Sequence, residues 1–160
     1  MLIKYLMIMF KIFVHYGMIG LFAIGIISSI IPIPTEPVVL GLLHAGENPE
    51  TVLIILIIGS ILGAYIGYML GKYELRRFIP FHDVKKEKKI QGYFRVYGGF
   101  LLLASPFIPV VGDLAPMVAG IENYDSKRFF IFISTAKIIK GIAIIYFSIR
   151  VNEWWTLFFK

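Results

Sequence analysis

Two long apolar segments of the chain are interrupted by prolines, and each is followed by an apolar segment that contains none. The interrupted segments cover residues 17–45 and 98–121, and the uninterrupted ones cover residues 51–71 and 128–149. A helix needs about 20 residues to cross the hydrocarbon core of a bilayer, so each uninterrupted segment predicts one transmembrane helix. The whole pattern predicts an all-α integral membrane protein.

The two halves of the chain repeat this arrangement imperfectly. The first copy runs from Tyr16-Gly17 to Ala45-Gly46, and the second runs from Tyr97-Gly98 to Ala119-Gly120. Proline breaks helices, and a membrane tolerates irregular backbone only where it is buried in protein or lines a cavity. We therefore expect an inverted repeat of two re-entrant helical hairpins, each followed by a transmembrane helix. The expected hairpin-shaping residues are Pro32, Pro34, Pro37, Pro106, Pro109, Gly112 and Pro116.

We expect a single membrane domain over residues 1–160, with repeat 1 at about 16–71, a basic loop at 72–95 and repeat 2 at about 97–149. If both interrupted segments are re-entrant, the two termini share one side of the membrane and the basic loop faces the other. If both cross fully, the termini and the basic loop all lie inside, which fits the preference of Lys and Arg for that side. The prolines favour the re-entrant topology.

Composition supports the membrane interpretation and locates the charge. Of the 160 residues, 58% are apolar, and the mean hydropathy of +0.81 is high for a soluble domain. The net charge of +6 is concentrated in the loop at 72–95, which predicts contact with anionic lipid headgroups rather than nucleic-acid binding. The cations of this loop are Lys72, Arg76, Arg77, Lys85, Lys86, Lys88, Lys89 and Arg95.

Both termini predict amphipathic segments at the membrane surface. Lys4, Lys11 and His15 fall on one face of an N-terminal helix, which is typical of an interfacial helix or of the polar flank of a first transmembrane span. We interpret this segment as retained, because it lacks the small-residue cleavage site of a signal peptide. Trp154-Trp155 predicts an aromatic anchor at the other end.

A glycine stripe, defined as Gly59, Gly63, Gly67 and Gly71, runs along the first predicted transmembrane helix. Small residues at this spacing let a second backbone approach closely. We expect the stripe to pack against a helix of this chain or of another copy rather than to line a substrate groove.

Glu36 and Asp113 occupy matching places in the two predicted hairpins. Glu36 lies between Pro34 and Pro37, and Asp113 follows Gly112. A carboxylate inside a membrane faces a protein interior or a cavity, where it accepts a proton, binds a cation or pairs with a lysine. The alternatives are a solvated loop around Glu36 and a capping role for Asp113 at a short helix over 114–119.

Lys137 and Lys140 lie on one face of the last predicted helix. A lysine at the bilayer centre costs about 3 kcal/mol or more unless it is paired or reaches water. Pairing with Glu36 and Asp113 would satisfy all four groups. Such a cluster either binds a phosphate headgroup or relays protons, with the acids titrating as a coupled set, or is a purely structural set of ion pairs.

No enzyme, metal site or cofactor is expected. The chain has no cysteine, and its three histidines (His15, His44 and His82) are too scattered for a metal site. No nucleophile-and-base spacing or phosphate-binding loop is present. His44 lies eight residues after Glu36 and would at most flank the site.

Three stretches together resemble the DedA family of membrane proteins, also called the SNARE-associated or VTT-domain family. They are Pro32-Ile-Pro34-Thr-Glu36, the run from Gly59 to Lys72, and the run from Pro106 to Gly120. The resemblance implies two facing re-entrant hairpins and a lipid flippase or scramblase. In prokaryotes it implies polyprenyl phosphate or phosphatidylethanolamine as the lipid, with dependence on a proton or sodium gradient in some members. By the resemblance, Glu36 is the acidic residue of the first hairpin.

The second hairpin departs from the commonest pattern of that family, which carries two arginines there. This chain has Pro106 and Gly112 at those places. Arginine is a natural phosphate ligand, so Lys137 and Lys140 would have to supply the positive charge from the next helix.

The sequence thus predicts a multi-pass protein of the cytoplasmic membrane that moves a phosphorylated lipid, such as polyprenyl phosphate or a phospholipid. The expected site residues are Glu36, Asp113, Lys137 and Lys140. The expected partners are membrane lipids, a coupling proton or sodium ion and a second copy of the chain, without nucleic acid. The alternatives are an ion or small-solute transporter using the same carboxylates, and a membrane assembly factor whose working surface is the glycine stripe.

Overall fold

The computed structural model describes residues 11–31, 33–73, 85, 92–94, 96–108 and 111–158, with the backbone alone for 111–113 and 152–158. All regular structure in these residues is helical, so the all-α prediction is confirmed for the described part of the chain. The helices are α1 (Gly17–Ile27), α2 (Glu36–His44), α3 (Pro49–Lys72), α4 (Gly99–Ala104), α5 (Val111–Ile121) and α6 (Ser126–Phe158). A 3-10 turn, Ser105–Phe107, follows α4. Most of the predicted basic loop lies outside the described residues.

Helix α3 and the first part of α6 are long and apolar enough to cross a membrane. The spans are Pro49–Lys72, with a mean hydropathy of 2.3, and Ser126–Val151, with a mean hydropathy of 1.8. They match the two transmembrane helices that the uninterrupted apolar segments predict. Helices α1 and α2 have 11 and 9 residues, or about 16 and 14 Å, which is about half the thickness of a hydrocarbon core.

Both long helices begin with a side-chain cap. The Asn48 side chain accepts a hydrogen bond of 2.8 Å from the backbone N–H of Glu50, and Asp125 accepts one of 2.9 Å from the backbone N–H of Arg128. These caps satisfy N–H groups that the first helical turn leaves without a partner. The sequence offers both Asn48 and Thr51 as possible caps of α3, and the structure selects Asn48. We call the two ends of the molecule the Asn48 face and the Asp125 face.

Helices α3 and α6 run antiparallel. The Tyr68 hydroxyl, near the end of α3, donates to the Tyr124 carbonyl at 2.6 Å and lies 3.0 Å from the Ser126 hydroxyl, where α6 begins. Gly141, in the second half of α6, packs against the side chains of Leu53 and Ile57 in the first half of α3. The C-terminal half of the α6 span therefore points to the Asn48 face.

The chain reverses direction within the first interrupted segment. Helix α1 runs parallel to α3, because the carbonyls of Phe22 and Ile26 meet Gly59 and Gly63 in the same order. Helix α2 returns to the turn that precedes α3. The buried apolar side chains of α1, α2, α3 and α6 form one core next to the Asn48 face: Leu21, Ile24, Val38, Val39, Leu42, Leu43, Val52, Leu56 and Ile145.

The second interrupted segment reverses in the same way from the opposite end. Helix α4 begins beside Tyr124 and Phe132, and Gly120, near the end of α5, lies against the backbone of Tyr68. The outer ends of α4 and α5 therefore both lie at the Asp125 face. A second core, next to that face, contains Ala64, Tyr68, Phe94, Leu102, Ala115, Val118, Ala119, Phe129 and Ile133.

The glycine stripe of α3 contacts two different helices. Gly59 and Gly63 meet α1, whereas Gly67 and Gly71 meet α5. A Cβ atom at Gly59 would lie 2.8 Å from the Phe22 carbonyl oxygen, and one at Gly71 would clash with the Met117 carbonyl. Close backbone approach thus joins α3 to one helix from each interrupted segment.

Candidate functional site

A cavity of about 610 Å³ lies between the reversal of the first interrupted segment, the 3-10 turn and α6. Its walls carry Glu36, Lys137 and Lys140, three of the four charged residues that the sequence selects. The remaining lining residues are Ser28, Ile33, Pro34, Thr35, Leu40, Leu56, Ser60, Pro106, Phe107, Gly141, Ala143, Ile144, Phe147 and Ser148.

The two lysines of the cavity lie near the middle of the apolar span of α6. Lys137 and Lys140 stand on either side of the centre of the span Ser126–Val151, and Ser60 stands at the centre of Pro49–Lys72. If these helices cross a bilayer, the two ammonium groups lie at mid-depth. Lysine at this depth is rare, faces protein or water, and marks functional pathways more often than packing.

Lys137 joins three helices through Ser29. Its ammonium group donates to the Ser29 hydroxyl oxygen at 3.0 Å, and Lys137 is only 7% exposed. The Ser29 hydroxyl lies 3.1 Å from the Gly25 carbonyl of α1 and 3.0 Å from the Ser60 carbonyl of α3, so its one hydrogen is shared between them. Ser29 therefore accepts from α6 and donates to α1 and α3 at once.

The position of Lys137 also suits the end of α1. That helix ends at Ile27, and Ser28 and Ser29 follow in the turn. The last carbonyls of a helix lack intrahelical partners and carry a partial negative charge. A buried ammonium group beside this end is stabilised by the helix dipole as well as by the Ser29 hydroxyl.

Glu36 and Lys140 contribute opposite charges to the cavity from α2 and α6. Glu36 is the first residue of α2, where a carboxylate interacts favourably with the positive end of the helix dipole. Both side chains are partly exposed, and the contacts of the described residues include no ion pair between them. The cavity thus presents an ammonium group and a carboxylate that a ligand can reach.

The other predicted site residues have varied placements. Asp113 is the third residue of α5, which begins at Val111, so it does not occupy the N-cap position that the sequence interpretation allowed. The structure does not describe the Asp113 side chain, Pro32, Pro109 or the surroundings of Gly112. Pro34 and Pro106 line the cavity, Pro37 stands in the first turn of α2, and Pro116 packs against Gly67. His44 is exposed and is not a lining residue.

Sequence reasoning missed the hydroxyl groups of the site. The Ser29 hydroxyl accepts from Lys137 and donates to the Ser60 backbone carbonyl. Ser28, Thr35, Ser60 and Ser148 add polar groups to the walls. The signal was present in Ser28-Ser29, a polar pair within an apolar segment just before the prolines. Nothing in the sequence indicated which lysine that pair would meet.

These features define a class: an all-α membrane protein with a charged cavity at the middle of its two long helices. The sequence profile of the VTT domain matches residues 31–150. The chain belongs to the VTT-domain family, the DedA family that the sequence motifs resemble.

Named relatives cover most of the chain. The chain is 27% identical over 142 residues to the inner membrane protein YqaA of Escherichia coli (strain K12), covering 87% of this chain and 96% of that protein. It is 27% identical over 133 residues to the uncharacterized membrane protein YbfM of Bacillus subtilis, covering 76% and 82%. It is 26% identical over 138 residues to the uncharacterized protein MJ0201 of Methanocaldococcus jannaschii, covering 84% and 86%. No solved structure matches the chain significantly.

Proposed function

We propose that this protein moves a phosphorylated lipid across the cytoplasmic membrane, with the headgroup bound in the cavity at Glu36, Lys137 and Lys140. The observation that carries the proposal is the convergence of two lysines and a carboxylate on one cavity between the centres of the long helices. Ammonium groups bind phosphate oxygens through charge-assisted hydrogen bonds. Lys140 is the reachable cation, and Glu36 offers a group for a proton, a cation or a cationic headgroup.

The apolar part of the cavity favours a lipid over a small solute. Phe107 and Phe147 line the cavity and are 52% and 68% exposed. A lipid chain needs such an apolar flank open to the bilayer, whereas a solute path needs polar walls that exclude lipid. The volume of about 610 Å³ lies within the range of about 300–1,000 Å³ typical of ligand pockets.

The proposal assigns the short helices to two re-entrant hairpins. In it, α1 with α2 enters from the Asn48 face, α4 with α5 enters from the Asp125 face, and α3 and α6 cross the bilayer. Support comes from the reversal of each interrupted segment and from the half-bilayer length of α1 and α2. Paired broken helices in the two halves of a transporter commonly hold its midplane site.

Lipid transport in proteoliposomes tests the proposal. The vesicles carry fluorescent phospholipid or polyprenyl phosphate, with and without a proton or sodium gradient. We compare the wild type with Glu36→Gln, Lys140→Met and Asp113→Asn. Matched controls are Glu50→Gln and Lys127→Met, which remove exposed charges away from the cavity. The proposal predicts transport by the wild type and both controls and a loss of about tenfold or more in the Glu36 and Lys140 variants.

The outcomes separate the candidate functions. No transport above empty vesicles by folded wild-type protein would overturn the lipid proposal for these substrates. Solute or ion flux that depends on Glu36 would favour the small-solute transporter, and activity lost only on filling the glycine stripe would favour the assembly factor. Ion coupling and a homodimer stay predictions. Comparing transport with and without the proton or sodium gradient tests ion coupling, and the mass of the detergent-solubilised particle tests the homodimer.

A further inference from the structure

We infer that the cavity is a one-sided access groove, open from the Asn48 face to mid-depth and sealed toward the Asp125 face. This inference rests on the proposed function for its occupant, a phosphate-bearing headgroup that enters from the Asn48 face and stops at Lys140. The geometry of the groove itself is independent of the cargo.

The groove extends along α6 in one direction only. Its lining on that helix begins at Lys137 and ends at Ser148, a length of about 16 Å along the axis. All lining positions beyond Lys140 lie toward the Asn48 face, because the C-terminal half of the span points there. Leu56 of α3 and Leu40 of α2 line the same stretch. The groove thus covers about half of a hydrocarbon core of about 30 Å.

Among the described residues, the half next to the Asp125 face is packed without a groove. Leu102, Ala115, Val118, Phe129 and Ile133 are 0% exposed between mid-depth and the Asp125 face. Tyr68 fills the same region and stacks on Phe129 with ring centroids 4.4 Å apart. A Cβ at Gly120 would collide with the Tyr68 carbonyl, so α5 lies directly on the backbone of α3. No lining residue that the structure describes belongs to this packed half.

A sequence asymmetry between the two long helices explains the difference. Counted from the caps Asn48 and Asp125, Gly67 and Gly71 of α3 correspond to Ile144 and Ser148 of α6. The two glycines let α5 pack against α3. Their counterparts carry side chains that stand in the groove facing α2. The contact between a long helix and the short helix beside it is therefore tight for α3 and α5 and open for α6 and α2.

Single cysteines test this directly, since the chain has none of its own. Ser60→Cys and Ser148→Cys place near-isosteric thiols in the groove, where the parent serines are 8% and 2% exposed. Ser105→Cys is the matched control, because Ser105 is 0% exposed and does not line the groove. Exposed Glu50→Cys and Lys127→Cys mark the Asn48 and Asp125 faces. The probe is a membrane-impermeant methanethiosulfonate applied to right-side-out and to inside-out vesicles.

We expect Ser148→Cys and Ser60→Cys to react only in the vesicles where Glu50→Cys reacts, with Ser60→Cys the slower. Ser105→Cys should react at least tenfold more slowly than Ser148→Cys from either side. Reaction of the groove cysteines from the Lys127 side, or no reaction from either side, would overturn one-sided access. The labelling pattern does not depend on transport. A failed lipid assay together with the expected labelling would therefore contradict the proposed cargo but not the one-sided groove.

Discussion

The ammonium nitrogen of Lys137 lies 3.0 Å from the hydroxyl oxygen of Ser29, which stands 108 positions earlier in the chain. This contact joins the first interrupted segment to the last long helix, since Ser29 follows α1 and Lys137 lies in α6. It also separates the roles of the two lysines, because Lys137 is held within the protein while Lys140 is partly exposed in the groove.

The first prediction concerns the energy of that contact. Ser29→Ala should lower the free energy of unfolding by about 1.5–3 kcal/mol, because it removes the hydrogen bond to a charged group. Lys137→Met should cost less, since it removes the buried charge and leaves only the neutral Ser29 hydroxyl, which still donates to the Gly25 and Ser60 carbonyls. The double variant should be less destabilised than the sum of the two by about 1 kcal/mol. Chemical unfolding in detergent micelles measures all three.

Thr135→Ala provides the control for this cycle. Its hydroxyl is exposed and bonds only its own helix, at the Ile131 carbonyl. Combined with Ser29→Ala, it should be additive within about 0.5 kcal/mol. Additive behaviour of Ser29→Ala with Lys137→Met as well would show that the contact contributes no coupling energy.

The second prediction separates Lys140 from Lys137 by function. Lys140→Met should leave the free energy of unfolding within about 0.5 kcal/mol of wild type and lower headgroup transport about tenfold. Lys137→Met should lower both, because it loosens α1, α3 and α6 around the site. Thermal unfolding and proteoliposome transport on the same preparations give the comparison. Equal losses of stability in the two variants would contradict the division of roles.

The third prediction distinguishes members of the glycine stripe. Gly63→Ala should destabilise the protein by about 1–3 kcal/mol, because the new methyl group meets the backbone of Ile26. Gly67→Ala should be neutral or slightly stabilising, since its Cβ would lie 3.7 Å from Pro116 and 3.8 Å from the Ser29 carbonyl. Melting temperatures of the purified variants decide between them. A loss at Gly67 as large as that at Gly63 would contradict the described packing.

The fourth prediction tests the link between α3 and α6 at the Asp125 face. Tyr68→Phe should cost about 1–2 kcal/mol, because it removes the donor to the Tyr124 carbonyl and leaves that acceptor unpaired. The ring keeps its stacking on Phe129, so the effect reports the hydroxyl alone. Tyr65→Phe, at an exposed position of the same helix, should change stability by less than about 0.5 kcal/mol. Similar melting temperatures for the two variants would show that the Tyr68 hydroxyl does not stabilise the contact between α3 and α6.

The sequence was sufficient to predict the long helices and to offer Asn48 as one of two possible caps of α3, because both depend on local pattern. Hydrophobic length sets a span, and an Asn before a Pro at the first helical position marks a start. It did not predict that α5 begins at Val111, upstream of Asp113. A backbone boundary near several prolines and glycines depends on the packing around it.

Placement of the charged residues was predictable only in outline. The cost of lysine in a membrane indicates that Lys137 and Lys140 need partners or water, and the structure puts both in one cavity with Glu36. The sequence did not indicate that a serine would bind Lys137. A hydroxyl can face many neighbours, and tertiary packing alone selects one. The division of the glycine stripe between α1 and α5 was hidden for the same reason.

The bond between Ser29 and Lys137 has a consequence for biogenesis. On insertion scales a lysine at a helix centre opposes partitioning by about 2.5–3.5 kcal/mol, so α6 inserts less readily than α3, and its mean hydropathy of 1.8 against 2.3 agrees. The ribosome completes Ser29 and Ser60 long before it reaches Lys137. The N-terminal half can therefore fold in the bilayer before α6 is inserted. When the translocon releases α6, Lys137 meets the Ser29 hydroxyl as a hydrogen-bond acceptor instead of lipid chains.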